Sequence, residues 1–492
     1  MARLKSKSLI LTFSILLNLH FISACMAVRH LQDEPAPSTQ IKSSASPVAI
    51  AAAAKGYTFN VMAPLTLPQS PEEWNSLSSR LEKIKEMGAY AVSTDIWWGL
   101  VEGAKDDAFD WSAYLKLAKA IGSAGLKWVP ILSFHQCGGN VGDECAFPIP
   151  AWLWDKYPDA MTVSEFGNPS KEVLTPWSTP KTLPEYVAFM RSFKTAFATH
   201  ASNIAEINIS FGPSGELRFP SYNSHDQGKT SYPTRGGLQA YGILARESFR
   251  RYVVQKYGSI QEINRAWKTT LTEISQVEVP SDTNLFYGAQ SRKSAYNRDL
   301  YRWYHTSLLE HGRILGEAAL EEFGDSQSPL RGIQLGGKVP GIHWRMASDR
   351  QAELNAGLIP FNTLAKPSIR DYRDIVGLFA SLDDKAKALG TRFVLHFTCL
   401  EMSDHENGDV AASLAKTLVK IVGRAAQEQN VLIMGENALS NTLSSQQAWD
   451  NMKEHVFKGP YKGITILRFD DILKSEVASR NFIEMIQAAS KK

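Results

Sequence analysis

Short apolar runs alternate with amphipathic helical segments along most of this chain, and that alternation restricts the folds it can adopt. Eight runs follow one another from residue 57 onward, and most are continuously apolar over their first residues. Such a pattern is typical of parallel strands that are buried on both faces by a covering layer of helices. The runs are residues 57–65, 90–98, 127–136, 206–213, 334–344, 392–402, 431–439 and 463–473.

The segments between the runs carry clear signals for the start and end of helices. Ser70, followed by Pro71 and two glutamates, forms a capping box with proline at the first helical position. Apolar residues then recur at helical spacing as far as Ile84, and Gly88 is predicted to end the helix. We therefore expect an α-helix between the first two runs, and a similar helix from Ser413 onward.

Eight β/α units in succession indicate a (β/α)8 barrel, an α/β fold of the TIM-barrel type. The alternative is a doubly wound open sheet, but neither a G-x-G-x-x-G sequence nor a phosphate-binding loop follows the first run. The interval from 213 to 334 is much longer than the others and has helical stretches near 238–257 and 297–323. We interpret it as a subdomain inserted after the fourth strand.

The composition is that of a folded protein with a sizeable core, and it excludes several classes of function. The 492 residues are 44% hydrophobic and 21% charged, which rules out a disordered or collagen-like chain. The formal charge of +3, from 53 basic and 50 acidic residues, is too small to indicate a nucleic-acid partner. Four cysteines are too few for a disulfide scaffold in a chain of this length.

The first 27 residues have the sequence features of a secretory signal peptide. Three basic residues precede a mostly apolar stretch, and small residues follow it. The alternatives are an uncleaved N-terminal anchor and a lipid tether through Cys25, whose surroundings loosely resemble a bacterial lipoprotein cleavage box. Residues 28–55 are predicted to be a flexible leader, and residues 56–492 the barrel domain. We therefore expect an exported protein with no transmembrane span in the mature chain.

Polar side chains collect where the apolar runs end, on seven of the eight runs. In a (β/α)8 barrel the carboxyl ends of all strands meet at one face, where catalytic residues lie. A single residue of this kind is commonly a structural ion pair, but polar groups on seven strands at the same end are hard to explain by packing. The group includes the carboxylates Glu216 and Glu436, and also Glu401, which follows an apolar residue and is a weaker candidate for catalysis.

Two carboxylates across a cleft lined by aromatic rings have the chemistry required for glycoside hydrolysis. One carboxyl group protonates the leaving oxygen, and the other activates water or attacks the anomeric carbon. Indole and phenol rings pack against the apolar faces of sugars, and the candidates for this contact are Trp97, Trp98, Tyr222 and Trp344. The sequence contains no G-x-S-x-G serine motif and no H-E-x-x-H zinc motif that would indicate another chemistry.

Five segments resemble the signature segments of β-amylases, glycoside hydrolase family 14. The resemblance extends in order from about residue 57 to residue 473, and it is closer to the secreted bacterial members than to the plant ones. The segments are DIWWG at 95–99, SFHQCGGNVGD at 133–143, GPSGELR at 212–218, FTCLEM at 397–402 and GENAL at 435–439.

The resemblance implies a role for individual residues. Glu216 matches the general acid of the family, Glu436 the general base, and Thr398 the residue of an inner loop that helps to release product. Because the family inverts configuration, the two carboxyl groups are expected to lie roughly 6.5–9.5 Å apart. The positions that match substrate contacts are Asp95, His135, Asp143, Lys338, His343, Asn437, Ala438, Leu439 and Arg468.

The activity implied by the resemblance is exo-acting hydrolysis of α-1,4-glucans with release of β-maltose from non-reducing ends. The expected partners are starch and maltodextrin, no cofactor is required for the chemistry, and we expect a monomer. Two alternatives stay open from the sequence. One is another barrel glycosidase, such as a β-galactosidase-like enzyme, and the other is a catalytically inactive glucan-binding relative.

The glycine-rich segment 138–142 matches the flexible lid of the family, which would deliver Asp143 to the sugar on closure. The alternative is an ordinary glycine-rich loop. Cys137 and Cys145 flank the segment, and the resemblance implies a disulfide between them, as opposed to two free thiols.

Bacterial members of the family also carry a calcium site, which implies a candidate structural calcium site here. Glu102, Asp106 and Asp107 match its first part, and Glu185 matches one of a pair of glutamates on a later helix. The second glutamate of that pair is replaced by Ala188. Calcium prefers six to eight oxygen ligands, so the loss of one carboxylate is expected to weaken the site. The alternative is a solvated acidic loop.

Overall fold

Eight parallel strands close into a barrel, and each strand is formed by the first residues of one apolar run. The structure is a computed structural model that describes residue 53 and residues 55–138, 143–222, 224–288, 291–361, 366–405 and 409–492. The strands are β1 (Thr58–Met62), β2 (Ala91–Trp97), β3 (Lys127–Ser133), β4 (Glu206–Ile209), β5 (Gln334–Val339), β6 (Phe393–Phe397), β7 (Ile433–Glu436) and β8 (Gly463–Ile466).

The order of the strands around the barrel is their order along the chain, and β8 pairs with β1 to close it. All neighbouring pairs are parallel, with Thr58 opposite Gly463 at the closing seam and Lys338 opposite His396 between β5 and β6. The predicted (β/α)8 barrel is therefore confirmed, and the open sheet is excluded. Every strand ends before its apolar run does, because the polar residues that follow leave the hydrogen-bonded ladder and line the barrel mouth.

Helices follow the strands and cover the outside of the barrel. The α-helices are α1 (Pro71–Glu86), α2 (Trp98–Val101), α3 (Ser112–Ser123), α4 (Trp152–Lys156), α5 (Thr179–Ala196), α6 (Ile243–Tyr257), α7 (Ile260–Trp267), α8 (Thr283–Tyr287), α9 (Ala295–Gly324), α10 (Gln351–Asn355), α11 (Arg373–Ala388), α12 (Ala415–Glu428), α13 (Gln446–Lys458), α14 (Phe469–Lys474) and α15 (Glu476–Ser490). None of the described helices is both long and apolar enough to cross a membrane.

Helix α1 begins as its sequence predicts. The Ser70 hydroxyl accepts a hydrogen bond from the backbone N–H of Glu73 at 3.1 Å, and Pro71 occupies the first helical position. The Glu73 carboxylate accepts the backbone N–H of Gln69 at 2.6 Å, one residue before the position expected of a capping box. The helix then buries Leu77, Leu81 and Ile84 against the barrel.

The long interval between β4 and β5 holds both inserted structure and a helix of the barrel. Helix α9, predicted near 297–323, packs along α5 and α11 as a member of the outer ring. Helices α6, α7 and α8 precede it and pack against it or one another. The insertion after the fourth strand is thus confirmed, and it ends where α9 begins.

The predicted signal peptide (1–27) and Cys25 lie outside the described residues, as does nearly all of the predicted leader (28–55). The described chain joins the barrel through β1, which lies between β2 and β8.

We predict that the seam between β8 and β1 does not tolerate a side chain at Gly463. Its φ is +141°, and a Cβ atom there would overlap the carbonyl oxygen of Thr58. Gly463→Ala should lower the free energy of unfolding by about 3 kcal/mol or more, from backbone strain and overpacking together. Gly390→Ala is the control, since φ is +79° there but no heavy atom lies within 4 Å of the added carbon. Denaturant unfolding that gives equal losses for both variants would contradict this account.

Candidate active site

A cavity of about 790 Å³ opens at the carboxyl ends of the barrel strands. It brings together all but two, Trp98 and Asn437, of the residues that the sequence proposes for catalysis and substrate contact. Those that line it are Asp95, His135, Asp143, Glu216, Lys338, His343, Thr398, Glu436, Ala438, Leu439 and Arg468. They come from every strand but the first, because parallel strands in a closed barrel present all their carboxyl ends to one face.

Lys338 connects the two candidate catalytic carboxylates. Its ammonium forms an ion pair with Glu436 at 2.6 Å across the barrel mouth. Its backbone is bridged to Glu216, and its carbonyl accepts the N–H of Leu217 at 2.8 Å. The ion pair with Glu436 raises the pKa of Lys338 although burial acts in the opposite direction. A positive charge therefore lies near both the carboxyl group of Glu216, which follows β4, and that of Glu436 at the end of β7.

Arg218 lies directly against Glu216. Its Nε donates to the Glu216 carboxyl at 2.9 Å, its Nη2 donates to the Ser214 hydroxyl at 3.1 Å, and its guanidinium lies 4.2 Å from the centre of the Tyr222 ring. Burial raises the pKa of Glu216, whereas the charges of Arg218 and Lys338 lower it. The net effect is a carboxyl group that holds its proton to higher pH than an exposed glutamate does. Arg218 is part of the GPSGELR segment, yet the sequence gives no reason to single it out.

Two buried histidines line the cavity in their neutral form. His135 shares a hydrogen bond with the Ser210 hydroxyl at 2.9 Å, and His343 shares one with Ser413 at 2.6 Å. Burial lowers the pKa of His135 to about 3 and that of His343 to about 4. Both rings are therefore neutral hydrogen-bonding groups near neutral pH.

Hydrogen bonds hold Asp95 and Thr398 in place at the cavity. The Ser133 hydroxyl donates to Asp95 at 2.8 Å, and burial raises the pKa of this carboxyl group although the Arg468 charge lowers it. The Thr398 hydroxyl accepts the backbone N–H of Gly341 at 2.7 Å, which ties the segment after β6 to the one after β5.

The aromatic lining differs from the sequence prediction at one position. Trp97, Tyr222 and Trp344 line the cavity, but Trp98 is fully buried in the core and its indole donates to Glu102 at 2.8 Å. The prediction that Trp98 contacts sugar is wrong, because adjacent residues at the end of β2 point to opposite faces. Tyr232, which no motif marks, stands half exposed over Trp344 with the ring centres 5.4 Å apart.

Comparisons with known proteins agree with this geometry. The model of the family described as Glycosyl hydrolase family 14 matches residues 60–491. The chain is 39% identical to a protein named Beta-amylase from Cytobacillus firmus, over 88% of this chain and 86% of that one. It is also 39% identical to a Beta/alpha-amylase from Paenibacillus polymyxa, over 88% of this chain but only 34% of that larger protein.

The chain belongs to glycosyl hydrolase family 14. The solved catalytic domain of the beta-amylase from Paenibacillus polymyxa superposes with a TM-score of 0.75 at 36% identity, covering 89% of this chain and 99% of that one. The resemblance inferred from the five segments is thereby confirmed, and with it the closeness to bacterial members. The chain is a glycoside hydrolase with a (β/α)8 barrel.

In this family 14 chain Glu401 anchors the turn that follows β7. Its carboxylate accepts the backbone N–H groups of Ala438 and Leu439 at 2.9–3.0 Å. Burial raises the pKa of Glu401 to about 7, while these amides act in the opposite direction. Glu401 thus has a structural role, because it sets the course of the backbone directly after Glu436.

Asn437, like Trp98, is a proposed substrate contact that does not line the cavity. Its side chain is fully buried behind the cavity wall and binds backbone groups in the turns after β7 and β8. The amide nitrogen donates to the carbonyls of Leu439 and Leu467 at 3.2 and 3.1 Å, and the amide oxygen accepts the N–H of Leu467 at 2.8 Å. It therefore holds the turns after β7 and β8 together, and Leu467 precedes Arg468.

The segment between β3 and α4 is closed by a disulfide between Cys137 and Cys145, with Cα atoms 5.6 Å apart. Of the predicted lid, residues 139–142 lie outside the described residues. Asp143 lines the cavity, and its carboxylate accepts the Gly138 N–H at 3.2 Å.

The acidic residues proposed for calcium are only partly brought together. Carboxylate oxygens of Glu102, Asp106 and Asp107 lie within 4.8 Å of one another. Glu185 on α5 does not belong to that group and reaches it through Lys156, which forms ion pairs with Asp106 and Glu185.

We predict that Glu401→Gln loosens the turn after β7. Oε1 of the carboxylate accepts both N–H groups, and Oε2 accepts that of Ala438 as well, so an amide removes the negative charge and places an NH2 donor against the Ala438 N–H. Hydrogen–deuterium exchange of the Ala438 and Leu439 amides, measured above the pKa of Glu401, should accelerate about 10–100-fold, as expected for the loss of a hydrogen bond to a charged group. Glu428→Gln, at the exposed end of α12, is the matched control. Unchanged exchange in Glu401→Gln would contradict the anchoring role.

Proposed function

We propose that this chain is a β-amylase, an exo-acting and inverting α-1,4-glucan hydrolase that releases β-maltose from the non-reducing ends of starch-like polysaccharides. The observation that carries the proposal is the placement of Glu216, after β4, and Glu436, at the end of β7, around one cavity in a family 14 barrel. The names of its relatives, Beta-amylase and Beta/alpha-amylase, support the same substrate class.

Glu216 is proposed as the general acid. An acid must carry its proton in the free enzyme, and burial raises the pKa of Glu216 in that direction. Its hydrogen bond from Arg218 fixes the orientation of the carboxyl group that is proposed to protonate the glycosidic oxygen of a bound glucan.

Glu436 is proposed as the general base. A base must be ionised, and the ion pair of Glu436 with Lys338 is formed by the carboxylate. In an inverting reaction this carboxylate takes a proton from a water that attacks the anomeric carbon on the face opposite the leaving group. Lys338 and the neighbouring Thr398 are proposed to hold substrate hydroxyls and to keep the base in place.

The shape of the cavity supports attack at a chain end. Below it, the barrel interior is filled by Asn208 and His396, both bound to the buried Glu206 at 3.2 and 2.5 Å. A glucan that enters from the mouth therefore meets a closed floor and cannot thread through. A blind cavity that accepts the end of a polymer is the geometry an exo-acting hydrolase requires.

The remaining lining residues are proposed as substrate contacts. Asp95, His135, His343 and Arg468 offer hydrogen-bonding groups to sugar hydroxyls, and Trp97 and Tyr222 offer ring faces. Leu439 stands partly exposed at the mouth, 36% of its surface being accessible, which suits an apolar contact with the glucan. Asp143 would contact the sugar when the predicted lid closes. Asn437 is proposed instead to act through the turns that it holds.

We also propose that residues 1–27 direct export of the chain. The basic start followed by an apolar stretch supports this, and the disulfide between Cys137 and Cys145 fits an oxidising compartment.

The product formed from soluble starch tests the proposal most directly. Maltose should be the main product from the earliest times, and proton NMR should show it first as the β-anomer before mutarotation. Glucose or galactose as the main product would point to another barrel glycosidase. Binding of maltodextrin without release of reducing sugar would identify an inactive glucan-binding relative.

We predict that Glu216→Gln and Glu436→Gln each lower kcat on soluble starch by about 10²–10⁴-fold or more, because each removes one member of the acid–base pair. Glu428→Gln controls for the same chemical change outside the cavity and should leave kcat unchanged. Retained activity in either cavity variant would overturn the assignment of that residue.

The pH profile should identify the acid. Because the general acid must be protonated, kcat/KM should fall as the pH rises through the pKa of Glu216, which lies above the ordinary value of 4.5. His135 and His343, with pKa values near 3 and 4, are already neutral below that limb and cannot produce it. The residual activity of Glu216→Gln should lack the alkaline limb, and its persistence there would show that another group is the acid.

A further inference from the structure

Lys156, at the end of α4, lies between two carboxylates that belong to different parts of the fold. Its ammonium is 2.6 Å from Asp106, in the loop after α2, and 2.9 Å from Glu185, on α5. Glu185 also accepts a hydrogen bond from the hydroxyl of Tyr157 and is almost fully buried. One positive charge thus joins three segments that are far apart in sequence.

The neighbouring Glu102 accepts hydrogen bonds from three N–H groups. One of its carboxylate oxygens accepts the indole N–H of Trp98 and the other accepts the backbone N–H of Asp107, both at 2.8 Å. Its backbone carbonyl accepts the indole N–H of Trp152 at 3.0 Å. Glu102 therefore orders the loop through three N–H donors, and one of its carboxylate oxygens lies within 4.8 Å of carboxylate oxygens of Asp106 and Asp107.

This set of donors does not fit a calcium ion. Calcium binds six to eight oxygens at 2.3–2.6 Å, usually including several carboxylates that face the ion together. Here Glu102 faces N–H donors, Asp106 and Glu185 face an ammonium, and Ala188 offers no ligand where a further carboxylate is expected. A divalent ion bridging Asp106 and Glu185 would have to displace Lys156.

We propose that the ammonium of Lys156 takes the place of a divalent ion between Asp106 and Glu185. It holds the loop after β2 to α4 and α5. The stem of Lys156 reaches past the rings of Trp152 and Tyr157, with the ammonium 5.5 and 5.8 Å from their centres. A covalently attached cation cannot be removed by a chelator, so the barrel is stable without calcium. This inference concerns stability and does not depend on the proposed activity.

Thermal unfolding of the full chain tests the proposal with calcium as the only probe. In the wild type, excess EDTA and excess CaCl2 should give the same Tm, and calorimetry should detect no calcium binding. Lys156→Met keeps the aliphatic stem but leaves the buried Glu185 without its cation. Its Tm should fall by several degrees in EDTA, and CaCl2 should restore a large part of the loss, because Asp106 and Glu185 are then free to bind the ion.

Lys105→Met is the matched control. Lys105 is an exposed lysine of the same loop whose ammonium forms no ion pair among the described residues, so the variant makes the same change of charge beside the same acidic group. Lys105→Met should have the same Tm as the wild type, and CaCl2 should not change that Tm. The proposal is overturned if the wild type binds calcium and gains Tm from it. It is overturned equally if calcium fails to rescue Lys156→Met, or if Lys105→Met behaves like Lys156→Met.

Discussion

Closure of the barrel is the constraint on which the rest of this structure depends. Each strand is held on both sides by parallel neighbours, and the seam between β8 and β1 brings Gly463 against Thr58 so closely that no side chain fits. A closed parallel barrel has no edge, and helices outside it and side chains packed inside it bury every strand on two faces, which explains why the runs are continuously apolar. It also forces all carboxyl ends to one face, where the polar ends of the runs assemble the cavity.

The charges in the cavity are organised around Lys338. It lies opposite His396 in the sheet. Its ammonium forms an ion pair with Glu436, and its backbone is bridged to that of Glu216. A cation between two carboxyl groups allows both to stay in one buried space, because the repulsion between them is offset. Arg218 gives Glu216 a second positive neighbour, so its raised pKa is the result of burial acting against two charges. The carboxyl groups of Glu216 and Glu436 thus differ in their surroundings and not in residue type.

The sequence predicted the architecture well and the detailed contacts less well. All eight apolar runs contain a strand, and α1 begins with the predicted cap, because these features depend on local pattern and burial. The prediction that Trp98 faces the cavity is wrong, because sequence alone cannot tell which of two adjacent tryptophans at a strand end does so. The sequence proposes Asn437 as a substrate contact, and the structure adds that its amide joins two turns. Tyr232 and Lys156 were not singled out, since their importance comes from neighbours that are distant along the chain or in segments without a motif. Arg218 was not singled out because closeness to Glu216 along the chain does not by itself predict a contact between their side chains.

What the sequence determined by itself was the number and order of the β/α units, the carboxylates at the strand ends and the resemblance to family 14. Hydrophobic periodicity and local motifs are sufficient for these, because they reflect which faces must be buried. Only the tertiary structure decided which side chains share the cavity, how the turn after β7 is anchored by Glu401, and which cation faces Asp106 and Glu185. Each of these depends on distances between segments separated by tens to hundreds of residues, and those distances are set when the barrel closes.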